Sequence, residues 1–354
     1  MKLSVTKTTT PKPKPDTANL GFGNYFSDHM LIADFEQDTG WHDARIVPYA
    51  PFSLDPAAMV LHYAQEVFEG LKAYRLPDGG IQLFRPQENF RRFNRSCDRL
   101  YIANIDDDFA LTSLKELLRI DADWIPHGDG TSLYIRPFIF ATDPFLGVRP
   151  SRQYTYCVIL SPVGAYYRDT MSPVKIFIEP QDVRAVRGGI GMAKTGGNYA
   201  ATIRAQAHAQ AKGYTQVLWL DALERKHIEE VGTMNIFFDF GGEIATPSLE
   251  SGSVLAGITR DSVIHILRDW GYTVSERKIS VDELSAALQD GRLRESFGTG
   301  TGATITPIGQ FGYRDADYTV NDGQTGELSA KLYDMLTGIQ WGRIPDPYGW
   351  TVRV

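Results

Sequence analysis

Lys194 stands in the stretch MAKTGGNYAAT, residues 192–202, followed at once by Thr195, two glycines, Asn198 and Tyr199. A lysine normally keeps its ammonium in water, so a solvated loop residue is the default expectation. Two chemistries would override it. In a phosphate-binding loop of the form G-x-x-x-x-G-K-[ST], the lysine and the hydroxyl open a helix whose N–H groups cradle phosphates. The run GGIGMAKT from Gly188 meets that pattern except that Ala193 stands where the last glycine should be. Gly196 and Gly197 then delay the helix, and DVRAVRG upstream is a poor buried strand, so nucleotide hydrolysis is disfavoured. The second chemistry is a Schiff-base lysine, activated where its ammonium is poorly solvated.

A lysine of the second kind needs partners. Serving a pyridoxal phosphate site, it requires an acid on the ring nitrogen, a donor to the ring hydroxyl and a cradle for the phosphate. For the acid, IEEVGTMNIFF, residues 228–238, offers Glu229 and Glu230 on a predicted strand, where alternation sends one inward and the other to solvent. For the phosphate, AGITRDSV places Gly257, Ile258 and Thr259 at a helix start, where free N–H groups and the helix dipole favour an anion. Arg92, in NFRRFNRSC, is a candidate for an added fixed positive charge. Each feature alone has an ordinary structural explanation: a solvated strand end, a plain cap, a solvated arginine.

The elements that must carry these residues are mixed. Helical spacing runs over 55–70, 86–102 and 108–126. Strands are expected at GGIQLFRP, at 131–143 and at 152–163, where β-branched and aromatic residues dominate. After a boundary near 165–173 the pattern restarts with strand 174–180, a glycine-bearing loop, a helix over 199–213, and strands at 215–222 and within 228–247. Three further helices are expected at 257–271, 280–290 and 327–340. The resulting division is a flexible arm over 1–20, a small α/β domain over 21–165, a linker over 166–173 and a large domain over 174–354.

Composition fits this reading. With 354 residues, 43% hydrophobic and 22% charged, the chain has the balance of a globular protein of about two domains. A net charge of −7 argues against a nucleic-acid partner. Two cysteines and seven scattered histidines supply neither a disulfide framework nor metal-ligand spacing, so no metal is expected. The N-terminal MKLSVTKTTTPKPKPD is basic but lacks Arg, and its alternating prolines forbid an amphipathic helix. No run reaches the 18 or more apolar residues of a membrane span, and a cytoplasmic location is expected.

The motifs KTGGNYAA, QVLWLD, IEEVGTMNIFF and FGTGTGATITP, with FEGLKAYR and LYIRP, together resemble the branched-chain amino acid aminotransferases, pyridoxal 5'-phosphate enzymes of fold type IV. The likeness runs from about Gly21 into the C-terminal region in the family's order and spacing, and length and N-terminal arm favour its longer, eukaryote-like branch, which also occurs in bacteria. The resemblance implies a two-domain α/β (α+β) fold and amino transfer between L-leucine, L-isoleucine or L-valine and 2-oxoglutarate. It makes Lys194 the Schiff-base lysine and general acid/base, Tyr199 the partner of the ring hydroxyl and Glu230 the partner of the ring nitrogen. Arg92, the Ile258 and Thr259 backbone and Thr301 would hold the phosphate. Tyr63 and the Thr301–Gly302 turn would take the α-carboxylate. The side-chain pocket would comprise Phe22, Phe68, Tyr134, Tyr166 and Thr233, with Arg136 near its mouth and Val148 contributed across a homodimer interface. One departure is clear: mammalian members carry a redox-active Cys-x-x-Cys where this chain has Ala303 and Thr306. The rival readings are a D-amino acid aminotransferase or aminodeoxychorismate lyase of the same fold type, a nucleotide hydrolase, and a non-catalytic pyridoxal phosphate carrier.

Overall fold

A computed structural model of the chain describes residues 1–128, 130–164 and 171–354. The chain forms two units: Met1–Tyr166 with Ala193–Gly196 and Gly338–Val354, and Tyr167–Met192 with Gly197–Thr337. The C-terminal residues therefore belong with the first unit, not with the large domain expected to run to 354. They are tied there because strand Thr351–Arg353 pairs antiparallel with Ile81–Phe84. Most of the expected linker, 166–170, lies outside the described residues.

In the first unit the strands are β1 (Ser4–Val5), β2 (His29–Glu36), β3 (Gly40–Pro48), β4 (Glu66–Phe68), β5 (Leu71–Arg75), β6 (Ile81–Phe84), β7 (Ser132–Ala141) and β8 (Gln153–Val163). With Thr351–Arg353 they make one sheet in the order β1-β3-β2-β8-β7-β5-β6 and then the C-terminal strand, with β4 also on β7. Central β7 and β8 are near-continuous apolar runs because both faces are covered. The core joins Leu31, Ile46, Leu133, Ile135 and Leu160 to Phe90, Phe93, Leu114 and Leu117 of two helices, α2 (Pro86–Leu100) and α3 (Asp107–Ile120). Pro86 opens α2 at a first-turn position, and Asp106 caps α3 through the Phe109 N–H at 2.7 Å.

Two expectations fail here for visible reasons. The helix predicted over 55–70 is a single turn, α1 (Val60–Tyr63), after which the chain extends as β4 and β5 along β7. Pro137 of β7 has no N–H to offer, and opposite it the neighbouring chain steps from β4 to β5 at Glu69–Gly70, with the Glu69 N–H donating to the Pro137 carbonyl at 2.8 Å. The step needs glycine at 70, because a Cβ there would lie 2.0 Å from the Tyr134 hydroxyl oxygen. The arm over 1–20, expected to be flexible, is instead fastened along the unit. Ser4–Val5 pairs with Arg45 and Ile46, the Lys12 N–H donates to Asp28 at 2.8 Å, and Lys14 lies 4.2 Å from the Trp124 ring. Its prolines exclude a helix, but its lysines find a carboxylate and aromatic faces.

The second unit carries α4 (Gly196–Ala200), α5 (Ile203–Ala211), α6 (Ile258–Asp269), α7 (Val281–Gln289) and α8 (Glu327–Gln340); the first residue of α4 and the last residues of α8 run into the other unit. Its strands are β9 (Val174–Ile178), β10 (Gln216–Leu220), β11 (Ile228–Val231), β12 (Asn235–Asp239), β13 (Ile244–Pro247), β14 (Val274–Arg277), β15 (Glu295–Gly300), β16 (Thr304–Tyr313) and β17 (Ala316–Thr319). They form a mixed sheet in the order β11-β10-β9-β16-β15-β12-β13-β14, with β17 on β16. Parallel pairs (β9 with β10 and β16, β13 with β14) sit among antiparallel ones, as a mixed α/β class requires. Ile176, Leu218, Ile236, Phe238 and Phe311 form the core with Leu284 and Ala287 of α7. No helix among the described residues is long and apolar enough to cross a membrane.

Candidate active site

In the first unit the expected residues gather around Phe68. The main chain of Lys194 is fixed at both ends: its N–H donates to Ser96 Oγ of α2 at 2.9 Å, and its carbonyl accepts the Phe68 N–H at 3.0 Å. The half-buried side chain brings Nζ to 4.8 Å from the Phe68 ring centre. Arg136 lies over the same ring at 4.7 Å and donates to the Tyr134 hydroxyl at 2.9 Å. Phe22 meets Tyr134 edge-on at 4.9 Å. One aromatic ring is thus approached by two cations. Glu66 closes the next turn by accepting from the Gly196 N–H and, at 3.4 Å, from Thr195 Oγ1; burial raises its carboxyl, with Gly196, Thr195 and Arg136 pulling the other way.

Arg92 is buried on α2, and its partner was not read from the sequence. Glu69, wholly shielded from solvent, accepts from Arg92 Nε at 2.6 Å and Nη2 at 2.9 Å, from Asn89 at 2.8 Å and from the Gly70 N–H at 3.0 Å. Burial alone would raise the Glu69 carboxyl. The Arg92 charge and hydrogen bonds outweigh it and, with Lys194 and Asn89, hold it below the usual range. Arg92 is therefore a fixed charge, oriented from behind by a carboxylate. Tyr63, at the end of α1, donates to the Leu146 carbonyl, and Val148 in the same loop is 84% exposed.

In the second unit, β11 sets Glu229 and Glu230 on opposite faces, yet both are buried, against the expectation that one would reach solvent. The strand is covered on both sides: the segment 251–257 folds over it and supplies a partner to each carboxylate. Glu230 accepts the Leu255 N–H at 2.6 Å and faces Arg184 Nε at 3.2 Å. Glu229 accepts from the Ser253 hydroxyl. Burial raises the Glu229 carboxyl, Ser253 and Arg184 lower it, and Glu230 and Asp221 raise it further. Arg184, also unforeseen from the sequence, is buried and ties the Gly191 carbonyl at 3.3 Å and the Ser253 carbonyl.

The segment then enters α6 at Gly257, which caps the helix with no side-chain hydrogen bond, leaving Ile258 and Thr259 at a helix start without a built-in side-chain acceptor. A Cβ at Gly257 would lie 1.9 Å from Asn235 Oδ1, so a larger residue would have to push the Asn235 amide aside. Asn235 holds the turn by donating to the Leu255 carbonyl at 2.9 Å. Tyr199 is half-buried on α4, Thr301 and Gly302 form the turn between β15 and β16, and Thr233 is exposed in the turn between β11 and β12. Tyr166 lies outside the described residues.

Residues 66–311 match the family model described as amino-transferase class IV. The chain belongs to this family. As a class IV aminotransferase it is a transferase, which sets aside the nucleotide-hydrolase reading of GGIGMAKT. It is 56% identical over 352 residues to branched-chain-amino-acid aminotransferase 2 of Bacillus subtilis (strain 168), an alignment covering 99% of this chain and 97% of that one. Among solved structures it is similar to the T.th. branched-chain amino acid aminotransferase with pyridoxamine 5'-phosphate, at a TM-score of 0.75 and 28% identity, covering 91% of this chain and 97% of the other. The same T.th. enzyme complexed with N-(5'-phosphopyridoxyl)-L-glutamate matches at a TM-score of 0.73 and 27% identity, with the same coverage.

Proposed function

We propose that this class IV aminotransferase moves the amino group between L-leucine, L-isoleucine or L-valine and 2-oxoglutarate, using pyridoxal 5'-phosphate. The observation that carries the reading is Lys194, fixed by its own backbone at both ends inside the family-matched span. Full-length likeness to the Bacillus enzyme supports the branched-chain substrate, and the relative complexed with the phosphopyridoxyl derivative of L-glutamate supports the second.

The residues fit the cofactor. Glu230 is a buried carboxylate suited to a protonated ring nitrogen, and the helix start at Ile258 and Thr259 lacks a side-chain acceptor, as a phosphate site should. When bound, the pyridinium ring supplies a sink for the electrons left at Cα after its proton departs. Lys194 would hold the cofactor and take and return that proton, while Tyr199 donates to the ring oxygen and Glu230 keeps the ring nitrogen protonated. Arg92 would add fixed positive charge for the phosphate, with Thr301. Phe22, Phe68, Tyr134 and Thr233 would line the side-chain pocket, Arg136 would stand near its mouth, and Tyr63 with Thr301–Gly302 would receive the α-carboxylate. Val148, Leu146 and Phe145 form an exposed apolar loop that a second copy would cover, giving a homodimer that light scattering would register. A cytoplasmic location completes the proposal.

The test is an absorption spectrum of the purified protein before and after L-leucine, with glutamate formation measured on adding 2-oxoglutarate. The visible band should shift with L-leucine, and Lys194→Ala should abolish turnover. Activity on D-alanine but not L-leucine would instead favour a D-amino acid aminotransferase, and a band that never turns over would favour a carrier.

A further inference from the structure

Glu229 sits where a carboxyl is expensive. It is 6% exposed, and among the described residues its Oε2 has no hydrogen-bond partner, while the residue lines a cavity of about 360 Å³ together with Asp221, His227 and Arg187. Burying an unsatisfied acceptor costs free energy that an alanine or threonine at this strand position would avoid. The bond that Glu229 does make shows what is gained. Its Oε1 accepts from Ser253 Oγ, which lies 2.7 Å from Ser251 Oγ, while the Ser253 carbonyl accepts from Arg184. Two residues on, the Leu255 N–H donates to Glu230, and two further on Gly257 opens α6. The segment 253–257 is thus fastened to one face of β11 by Glu229 and meets the other face at Glu230.

We propose that Glu229 is a positioning residue for the cofactor site: through Ser253 it fixes the segment that aims the Leu255 N–H at Glu230 and sets the entry to α6. The proposal rests on the reading of Glu230 and of the α6 start as contacts to the ring nitrogen and the phosphate. Glu229 touches neither group itself. It acts by keeping one backbone segment in a single register, so that Glu230 presents a fixed carboxylate and Ile258 and Thr259 present their N–H groups together.

The experiment compares Glu229→Ala, Glu229→Gln, Ser253→Ala, the Glu229→Ala/Ser253→Ala double variant and Glu230→Gln. Each is stripped of cofactor and titrated with pyridoxal 5'-phosphate, and the visible band of the loaded protein is followed against pH. Ser253→Ala removes only a hydroxyl and stands in if Glu229→Ala fails to fold. Glu229→Ala and Ser253→Ala should each weaken cofactor binding about tenfold and move the midpoint of the band's pH titration. The double variant should be no worse than the worse single one, since both break the same bond. Glu229→Gln keeps an acceptor and should recover most of the loss. Binding within twofold of wild type in Ser253→Ala and Glu229→Ala, with Glu230→Gln impaired, would overturn this inference alone. Wild-type binding and turnover in Glu230→Gln as well would overturn the underlying reading together with it.

Discussion

Glu69 and Glu230 are both buried carboxylates facing a buried arginine, and they are held in different ways. Glu69 is saturated: two bonds from Arg92, one from Asn89 and one from the Gly70 N–H. Glu230 takes a short backbone bond at 2.6 Å, and its arginine stands at 3.2 Å with the Gly191 and Ser253 carbonyls also to serve. A pair closed on itself orients a side chain; a carboxylate whose arginine is shared is less committed to it, as one that serves a ligand should be. The contrast separates residues that build the site from those that would work in it.

The sharpest way to break the contrast is to remove each carboxylate and read stability. Glu69→Ala leaves the Arg92 charge buried without its partner, and such losses run to about 3–5 kcal/mol. Denaturant unfolding of the cofactor-free protein should show a loss of that size. A loss below about 1 kcal/mol would mean that Arg92 finds another partner and that the pair is not the structural one.

Glu230→Ala should show the complementary pattern. Arg184 keeps the Gly191 and Ser253 carbonyls, so unfolding changes less than for Glu69→Ala. Turnover should fall about 10- to 100-fold, the value of a charge-assisted hydrogen bond of roughly 1.5–3 kcal/mol. Normal rates with L-leucine would remove Glu230 from the ring nitrogen and reopen Glu229 for that place.

Acid titration sharpens the comparison by sign. Glu69 has its carboxyl held below the unfolded value of about 4.3, so its contribution to stability is present above that value and lost as pH falls through the lowered one. Glu229 is raised, so the native state holds its proton more tightly and stability from this group is lost as pH rises through the raised value. Glu69→Gln should flatten the acid limb of the stability curve, and Glu229→Gln should lessen the decline on the rising side. Parallel shifts in the two variants would refute the assignment.

Much of the scaffold was legible because its signals are local. The start of α2 follows from Pro86, α3 begins within a residue of the expected 108, and α7 begins at Ser280, whose hydroxyl accepts the Glu283 N–H at 3.0 Å. Strand β4 was hidden because residues 55–70 carry helical spacing, and Pro137, whose carbonyl accepts the Glu69 N–H where the chain steps from β4 to β5, lies far along the chain. The role of Glu69 was invisible, since a glutamate between Phe68 and Gly70 looks the same in sequence whether it meets water or an arginine 23 positions on. Spacing placed Glu229 and Glu230 on opposite faces of β11, but it could not show that the 251–257 segment covers both. Arg184 sits in a glycine-rich loop with no periodicity to announce it.

The smallest expected effect concerns oxidation. Cys97 lies on α2 and Cys157 on β8; both are free and wholly buried, and neither corresponds to the positions of Ala303 and Thr306, where the Cys-x-x-Cys of mammalian relatives would fall. Arg95 and Arg99, which flank Cys97 in sequence, point to an exposed face, so they do not supply the positive surroundings that would favour a thiolate. Burial pushes the Cys97 thiol up, and Asp98 pushes it further; burial likewise raises Cys157 against a small opposing effect of Arg45. With almost no thiolate and no access, neither sulfur should react at a useful rate. Mild peroxide should leave turnover unchanged over a time that inactivates a relative bearing the dithiol. Rapid loss that a thiol reductant restores, and that Cys97→Ser prevents, would show instead that α2 opens enough to expose Cys97, and with it the helix that fixes Arg92 and Ser96.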